Sequence, residues 1–296
     1  MEIKNRIKRR QFLVQSSGAV IGSMIGIGLP GILHAQSKSK VVLIRHAGLH
    51  DSSGLPKPQI VAEMIDQAVA GLSSLSEAAQ FWQDLLNPED TVGIKTNVVW
   101  YLPTPDAVNS VLKERVIGAG VKPENVGLDD RGVRSNPIFQ KANKLINVRP
   151  LRTHHWSGVG SLIKNYIMFS DHPPDYHPDS CADLGKLWHL PQVKDKTCLN
   201  LLIMFRPLFH GIGPHHYNPE YTWAYNGLLA GFDPVAIDTI GVEILGAKRR
   251  EFFGENRPIN PPAKHIQYAD KRYGLGHADL DRIDLISLGW SDGRLI

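Results

Sequence analysis

Cysteine is nearly absent. Cys181 and Cys198 are the only two in 296 residues. Two thiols do not hold an iron–sulfur cluster, which normally takes four ligands, so no such cluster is expected. In an oxidising compartment the two could form a disulfide. Two unrelated buried thiols are the other reading, and composition leaves both open. A strong excess of charge is also missing: 33 Lys and Arg stand against 29 Asp and Glu, a net +4. Residues 1–35 alone hold five Lys or Arg and one Glu, so the remainder is near neutral. No basic stripe alternates with aromatics, which excludes nucleic acid as the expected partner. There is no internal repeat, no GxxxxGK[ST] phosphate loop, no complete GxGxxG and no HExxH zinc helix.

What is present begins with a leader. Lys4, Arg6, Lys8, Arg9 and Arg10 precede a Gly-rich, weakly apolar run that reaches Ala35. That layout is an export signal. Arg9-Arg10-Gln11-Phe12-Leu13 resembles the twin-arginine signal, which makes the export machinery a partner. Cleavage near Ala35 leaves a periplasmic or extracytoplasmic protein. An uncleaved run from Phe12 to Ala35 is long enough to anchor it in the membrane. Residues 36–296 are then expected to form a single α/β domain.

Strand and helix patterns alternate through that domain. Strands are expected at 41–46, 91–99, 125–130, 145–151, 197–205 and 282–290, with 226–232 as strand or turn. Helices are expected at 60–72, at 76–86 with Ser76 as cap, after Thr104-Pro105, at 233–245 behind Asp233-Pro234, and at 265–273. This order predicts a mostly parallel sheet flanked by helices. Residues 170–196 and 207–224 read as long polar loops at the strand ends.

Ligands in such sheets bind outside the carboxyl ends of the strands. Those ends carry Lys95 and Asn97; Asp129, Asp130 and Arg131; Arg152, His154 and His155; and Arg206, His210, His215 and His216. The run Ser157-Gly158-Val159-Gly160-Ser161 with Lys164 behind it has the small residues that let backbone N–H groups approach an anion. A tight turn explains the same glycines. Imidazoles beside carboxylates suit a divalent transition metal, with Asp129, Asp130, His154, His210 and His215 as its candidate ligands. Adjacent histidines on a strand point to opposite faces, so at most one of each pair reaches the ion.

Taken in order, GIKTN (93–97), TPDAV (104–108), VGLDD (126–130), RTHHWSGVGSLIKN (152–165), HGIGP (210–214), GFDPVAID (231–238) and GLG (274–276) resemble the domain-of-unknown-function family 362. The family's Lys-Pro-Asn stands here as Lys95-Thr96-Asn97, and its Lys-Thr-His as Arg152-Thr153-His154. Its Lys-Asn is Lys164-Asn165, its Gly-x-Gly-Pro is Gly211 to Pro214, and its Asp-Pro-Val-Ala-x-Asp is Asp233 to Asp238. The resemblance implies an α/β fold and adds Asn97, Asn165 and Gly213 to the ligand-binding set of Arg152, Ser157, Gly158 and Gly160. Arginine in place of lysine at 152 leaves lysine chemistry to Lys95 and Lys164. Some relatives carry ferredoxin-type cysteines, which this chain lacks.

The expected function is a metal- or cofactor-dependent periplasmic enzyme acting on a small anionic substrate, a carboxylate or a phosphate. His154, Lys95 and Lys164 are its candidate catalytic residues. The alternative is a non-catalytic ligand-binding or assembly subunit of an exported redox complex, docking through loop aromatics such as Trp188, Trp223, Tyr217, Tyr221 and Tyr225. Asp233 and Asp238 read as fold residues first.

Overall fold

The computed structural model describes residues 38–73, 77–211 and 217–296. The export leader, the Ser76 cap, and Gly213, His215 and His216 lie outside the described residues. The strands are β1 (Ser39–Arg45), β2 (Val92–Lys95), β3 (Val126–Asp129), β4 (Lys144–His154), β5 (Gly158–Gly160), β6 (Thr197–Leu208), β7 (Gly227–Gly231) and β8 (Ile283–Gly289). They form one sheet in the order β3-β2-β4-β6-β7-β1-β8, with β5 paired to β4. β3, β2, β4 and β6 run parallel to one another, and so do β1 and β8. β7 is antiparallel to both its neighbours.

Alternation along each strand feeds two cores. Val41 and Leu43 of β1 enter one apolar cluster, while Val42 and Ile44 enter the other. A strand buried on both faces reads as a continuous apolar run, which is how VVLIR and TCLNLLIMF appear. Helices α1 (Pro58–Leu72), α2 (Ala78–Leu85) and α3 (Asp106–Gly118) contribute to one core. The short α4 (Pro137–Lys141) and α5 (Leu162–Asn165), with α6 (Pro234–Phe253) and α7 (Lys264–Lys271), contribute to the other. Cys181 belongs to the second core and Cys198 to the first, on opposite faces of the sheet. Both thiols are free, so the disulfide reading gives way to two separate buried thiols. No helix among the described residues is long and apolar enough to cross a membrane.

Several expected boundaries shift for identifiable reasons. β4 continues through His154 because its last residues pair with β5 in a hairpin. Asp233 caps α6 by accepting the Val235 and Ala236 N–H groups, as its Asp-Pro start implies. The helix runs on past residue 245 until Gly254 closes it in the left-handed region. Thr104 does not cap α3. Its hydroxyl accepts the Asn97 N–H at 3.1 Å instead, while Thr104 N–H donates back to Asn97 O. Residues 170–196 are not a polar loop. They form short 3₁₀ turns that bury Cys181, Leu184, Leu187 and Trp188 in a core. Trp188 Nε1 donates to Ile163 O, and buried Tyr225 donates to Arg294 O. These two aromatics pack the interior and offer no docking face.

Candidate functional site

The ends of β2, β3 and β4 converge. Lys95, the last residue of β2, is fully buried and donates to Asp130 Oδ1 at 2.5 Å, Thr96 O at 2.9 Å and Asn165 Oδ1 at 3.3 Å. All three ammonium hydrogens are engaged, so Lys95 braces the strand ends, and burial lowers its pKa to about 8. Burial pushes the Asp130 carboxyl up, but the Lys95 charge and hydrogen bond and the Val98 N–H outweigh it and leave its pKa lowered. Beneath them runs a chain of buried amides. Asn165 Nδ2 donates to Asn147 Oδ1, Asn147 Nδ2 to Asn200 Oδ1, and Asn200 Nδ2 to Phe232 O. Asn165 is therefore a scaffold residue, holding α5 to the sheet.

β4 carries the cations. Arg149 and Arg152 are three residues apart, so regular alternation would put them on opposite faces. The β4–β6 register shifts between Pro150 and Arg152. That bulge turns both side chains to the same side, a common use of bulges. Both lie against Gly160: a Cβ there would stand 3.1 Å from Arg149 Nη2 and 3.4 Å from Arg152 Cγ. Glycine at 160 makes room for the guanidinium groups. At Gly158 the chain has φ +73 and a Cβ would strike Pro261 O. Ser157 Oγ donates to Val159 O.

The helix start behind this run is already occupied. Asp238, from α6, accepts Ser161 Oγ at 2.7 Å, Leu162 N–H at 2.9 Å and Ile163 N–H at 3.0 Å. The chain's own carboxylate thus takes the place expected for a bound anion at SGVGS. Ser157, Gly158 and Gly160 shape this turn and make room for the guanidinium groups beside it.

The positive charge of the site comes from side chains. Lys95, Arg149, Arg152 and Lys164 are all at most 4 % exposed, and among the described residues Asp130 and Asp238 supply the buried carboxylates beside them. Among the described residues no carboxylate forms an ion pair with Arg149, Arg152 or Lys164. Arg152 Nη1 donates to Asn97 Oδ1 at 3.2 Å, while Nε of both arginines has no hydrogen-bond partner. Burial and then the neighbouring Arg152 charge push Arg149 down to about 9. Lys164 has one contact, Cys181 Sγ at 3.6 Å, and burial lowers it to about 8. Fully buried His265 has no hydrogen-bond partner on either ring nitrogen. Burial and the Lys164 and Arg149 charges push it down to about 3, so it is neutral. Buried polar groups are normally satisfied, and among the described residues these nitrogens have no acceptor.

Among the described residues the expected metal ligands do not assemble, and His215 lies outside them. His154 Nδ1 accepts the Trp156 N–H at 3.2 Å, so the neutral ring carries its hydrogen on Nε2. A metal-bound histidine has the opposite arrangement, with its second nitrogen donating. Burial, followed by Lys164, Arg149, His155 and Arg152, holds His154 far below the usual histidine pKa. Asp129 is engaged by Gly132 N–H and Asn136 Nδ2, and Asp130 by Lys95 and Val98 N–H. His210, with Nδ1 3.0 Å from Arg249 Nη1, lines a cavity of about 580 Å³ together with Thr153, Tyr217 and Asn260. Arg206, at the end of β6, is exposed. Among the described residues no three His, Cys, Asp or Glu side chains could hold an ion together.

Arg149, His265, Cys181 and Asp238 thus join the site beyond the expected set. Cys181 reaches Lys164 from a left-handed turn in which Asp179, Ser180 and Cys181 have φ of 49, 58 and 60. Such a run of non-glycine residues is strained. An ion pair between Asp179 and Lys264 ties the turn down.

The protonated Lys164 costs folded stability below its depressed pKa. As pH rises from about 8 towards its ordinary 10.5, the unfolded chain keeps a proton that the folded chain has released. Ligand-free stability attributable to this residue therefore rises across that window. Urea unfolding of the wild type and Lys164→Met at both ends of the window should show a smaller rise in the variant; equal rises would contradict this.

Residues 125–243 match the family model described as Domain of unknown function (DUF362). The match takes in Asp130, Arg149, Arg152, His154, Lys164, Cys181 and Asp238, while Lys95, Asn97 and His265 fall outside it. No curated protein and no solved structure matches the chain.

Proposed function

We propose that this chain is an exported α/β enzyme whose substrate is a small anion, a phosphate or carboxylate, bound at the ends of β2, β3 and β4. The carrying observation is the buried Arg149 guanidinium with an unpartnered Nε, beside Arg152 and Lys164, in a cluster where four cations face two carboxylates. An excess of two buried positive charges is costly unless a ligand neutralises it, and a dianion suits it best. Arg149 and Arg152 present forked donors for its oxygens. His154 Nε2–H adds a neutral donor. Lys164, with a pKa near 8, has the proton-exchange range of a general acid or base, and its weak thiol contact leaves its hydrogens free for a substrate atom. The twin-arginine leader supports a periplasmic location.

The test is calorimetric titration of the mature protein with inorganic phosphate and with a dicarboxylate, alongside elemental analysis without a metal-affinity tag. The reading expects saturable binding of at least one anion and well under one equivalent of metal. No binding of either anion would overturn it. Near one equivalent of a transition metal, lost in His154→Ala, would replace it with the metalloenzyme reading.

A further inference from the structure

Two sets of aromatic rings flank the cluster. On one side Tyr101 lies over Arg152, its ring centroid 5.6 Å from the guanidinium carbon. Trp100 packs edge-on against Tyr101 at 5.3 Å, and Tyr217 packs on both. On the other side His154 stacks on His155 at 4.6 Å, His155 meets Trp156 at 4.3 Å, and Trp156 meets His177 at 3.9 Å. The Lys164 charge reaches His177 as well, helping burial push it down to about 4, so this second set borders the lysine. The two indoles are nevertheless left in solvent: Trp100 is 70 % exposed and Trp156 46 % exposed, with Val98 at 49 % between the brace and Trp100.

Exposed tryptophans are costly, and here Trp100 packs on the ring that covers Arg152 while Trp156 packs on His177, whose ring feels the Lys164 charge. Neither indole is needed to fill a core, since both apolar clusters close without them. Each ring system presents a π-face or edge beside a positive charge. A ligand that satisfies both features has an anionic head for the guanidinium groups and a flat, apolar body for the rings.

The geometry points to an aryl anion, an aromatic or heteroaromatic body bearing a phosphate or carboxylate, as the substrate class of this site, with Trp100 and Trp156 as the residues that select it. This rests on the anion-binding reading above and adds the identity of the group attached to the anion. A bare anion uses Arg149, Arg152, Lys164 and the His154 donor; the aryl group adds contact with the exposed indoles.

The experiment compares inorganic phosphate, methyl phosphate and phenyl phosphate, which share a dianionic head, by calorimetry on the mature chain. Phenyl phosphate is expected to bind about tenfold more tightly than methyl phosphate, the size of one or two good aromatic contacts. Trp100→Ala and Trp156→Ala should each remove several-fold of that advantage and leave methyl phosphate affinity unchanged. Equal affinity for the phenyl and methyl esters, or indole variants that weaken both esters alike, would overturn the aryl assignment while the anion site stands. No binding of any of the three, nor of benzoate against acetate, would remove the anion site and the assignment together. Tryptophan-dependent flotation with anionic-lipid vesicles, without a phenyl preference, would overturn it in favour of a membrane surface.

Discussion

Replacing Arg149 by methionine should weaken phosphate binding by about 100-fold or more and make the ligand-free protein more stable. The two effects have one cause. The Arg149 guanidinium is 4 % exposed, its Nε has no partner, and the charge acting on it most is another cation, Arg152, ahead of the more weakly felt Asp130 and Asp238. A buried charge without a counter-ion opposes folding, and exchanging it for an apolar side chain is neutral or stabilising, by up to roughly 4 kcal/mol in favourable cases. When the dianion arrives, the same group supplies a charge-assisted fork in a dry setting. Truncating one partner of such a buried pair costs about 2–5 kcal/mol, which at about 1.4 kcal/mol per decade is roughly two or three decades of affinity. Arg149→Lys keeps the charge without the fork and should fall between the two. Thermal denaturation with and without phosphate, together with calorimetry, reads both effects. A less stable apo-protein with phosphate affinity unchanged would show that Arg149 is structural and that the site lies elsewhere.

The second large effect is expected at Asp238. This carboxylate is fully buried and accepts three hydrogen bonds from Ser161, Leu162 and Ile163, which start α5 and place Lys164 and Asn165. Asp238→Ala leaves those three donors unsatisfied in the interior. At about 1–3 kcal/mol per orphaned group, the loss is on the order of 3–5 kcal/mol even after relaxation. That is a large part of a typical folding free energy of roughly 5–15 kcal/mol. Asp238→Asn keeps an acceptor and should be much milder. Burial raises the Asp238 pKa to about 6 from its ordinary 3.8. Between these values the folded chain holds a proton that the unfolded chain has released, so this group's contribution improves as pH falls from about 6 towards 4 and worsens as pH rises. In Asp238→Asn that slope should disappear. Urea denaturation at pH 4.5 and 6.5 would detect it, and an alanine variant as stable as the wild type would refute the role.

Much of the scaffold was legible. The continuous apolar runs at 41–46 and 197–205, and the Asp-Pro start of α6, report local physics: two-sided burial and a capped first turn. The convergence of Lys95, Asp130, Arg152 and Lys164 followed from a parallel sheet, whose strand ends share one edge. Arg149 was hidden inside LINVRPL, where it counts as one polar residue in a strand. Its signal was the following Pro150, because proline in a central strand marks a bulge. His265 sat in an unremarkable helix, and nothing local tells that Lys164 and Arg149 lie over it.

By itself, then, the sequence determined the α/β class and the concentration of charged residues after three of the strands, because periodicity and capping act over a few residues. The tertiary structure decided which of those charges are paired. Lys95 meets Asp130 across 35 positions and Ser161 meets Asp238 across 77, and both pairings remove candidates from ligand chemistry. A bulge in β4 then put Arg149 and Arg152 on one side of the sheet, so that the unpaired charge collects beside Lys164. Ion pairing and facing depend on groups brought together from distant parts of the chain, which no local pattern encodes.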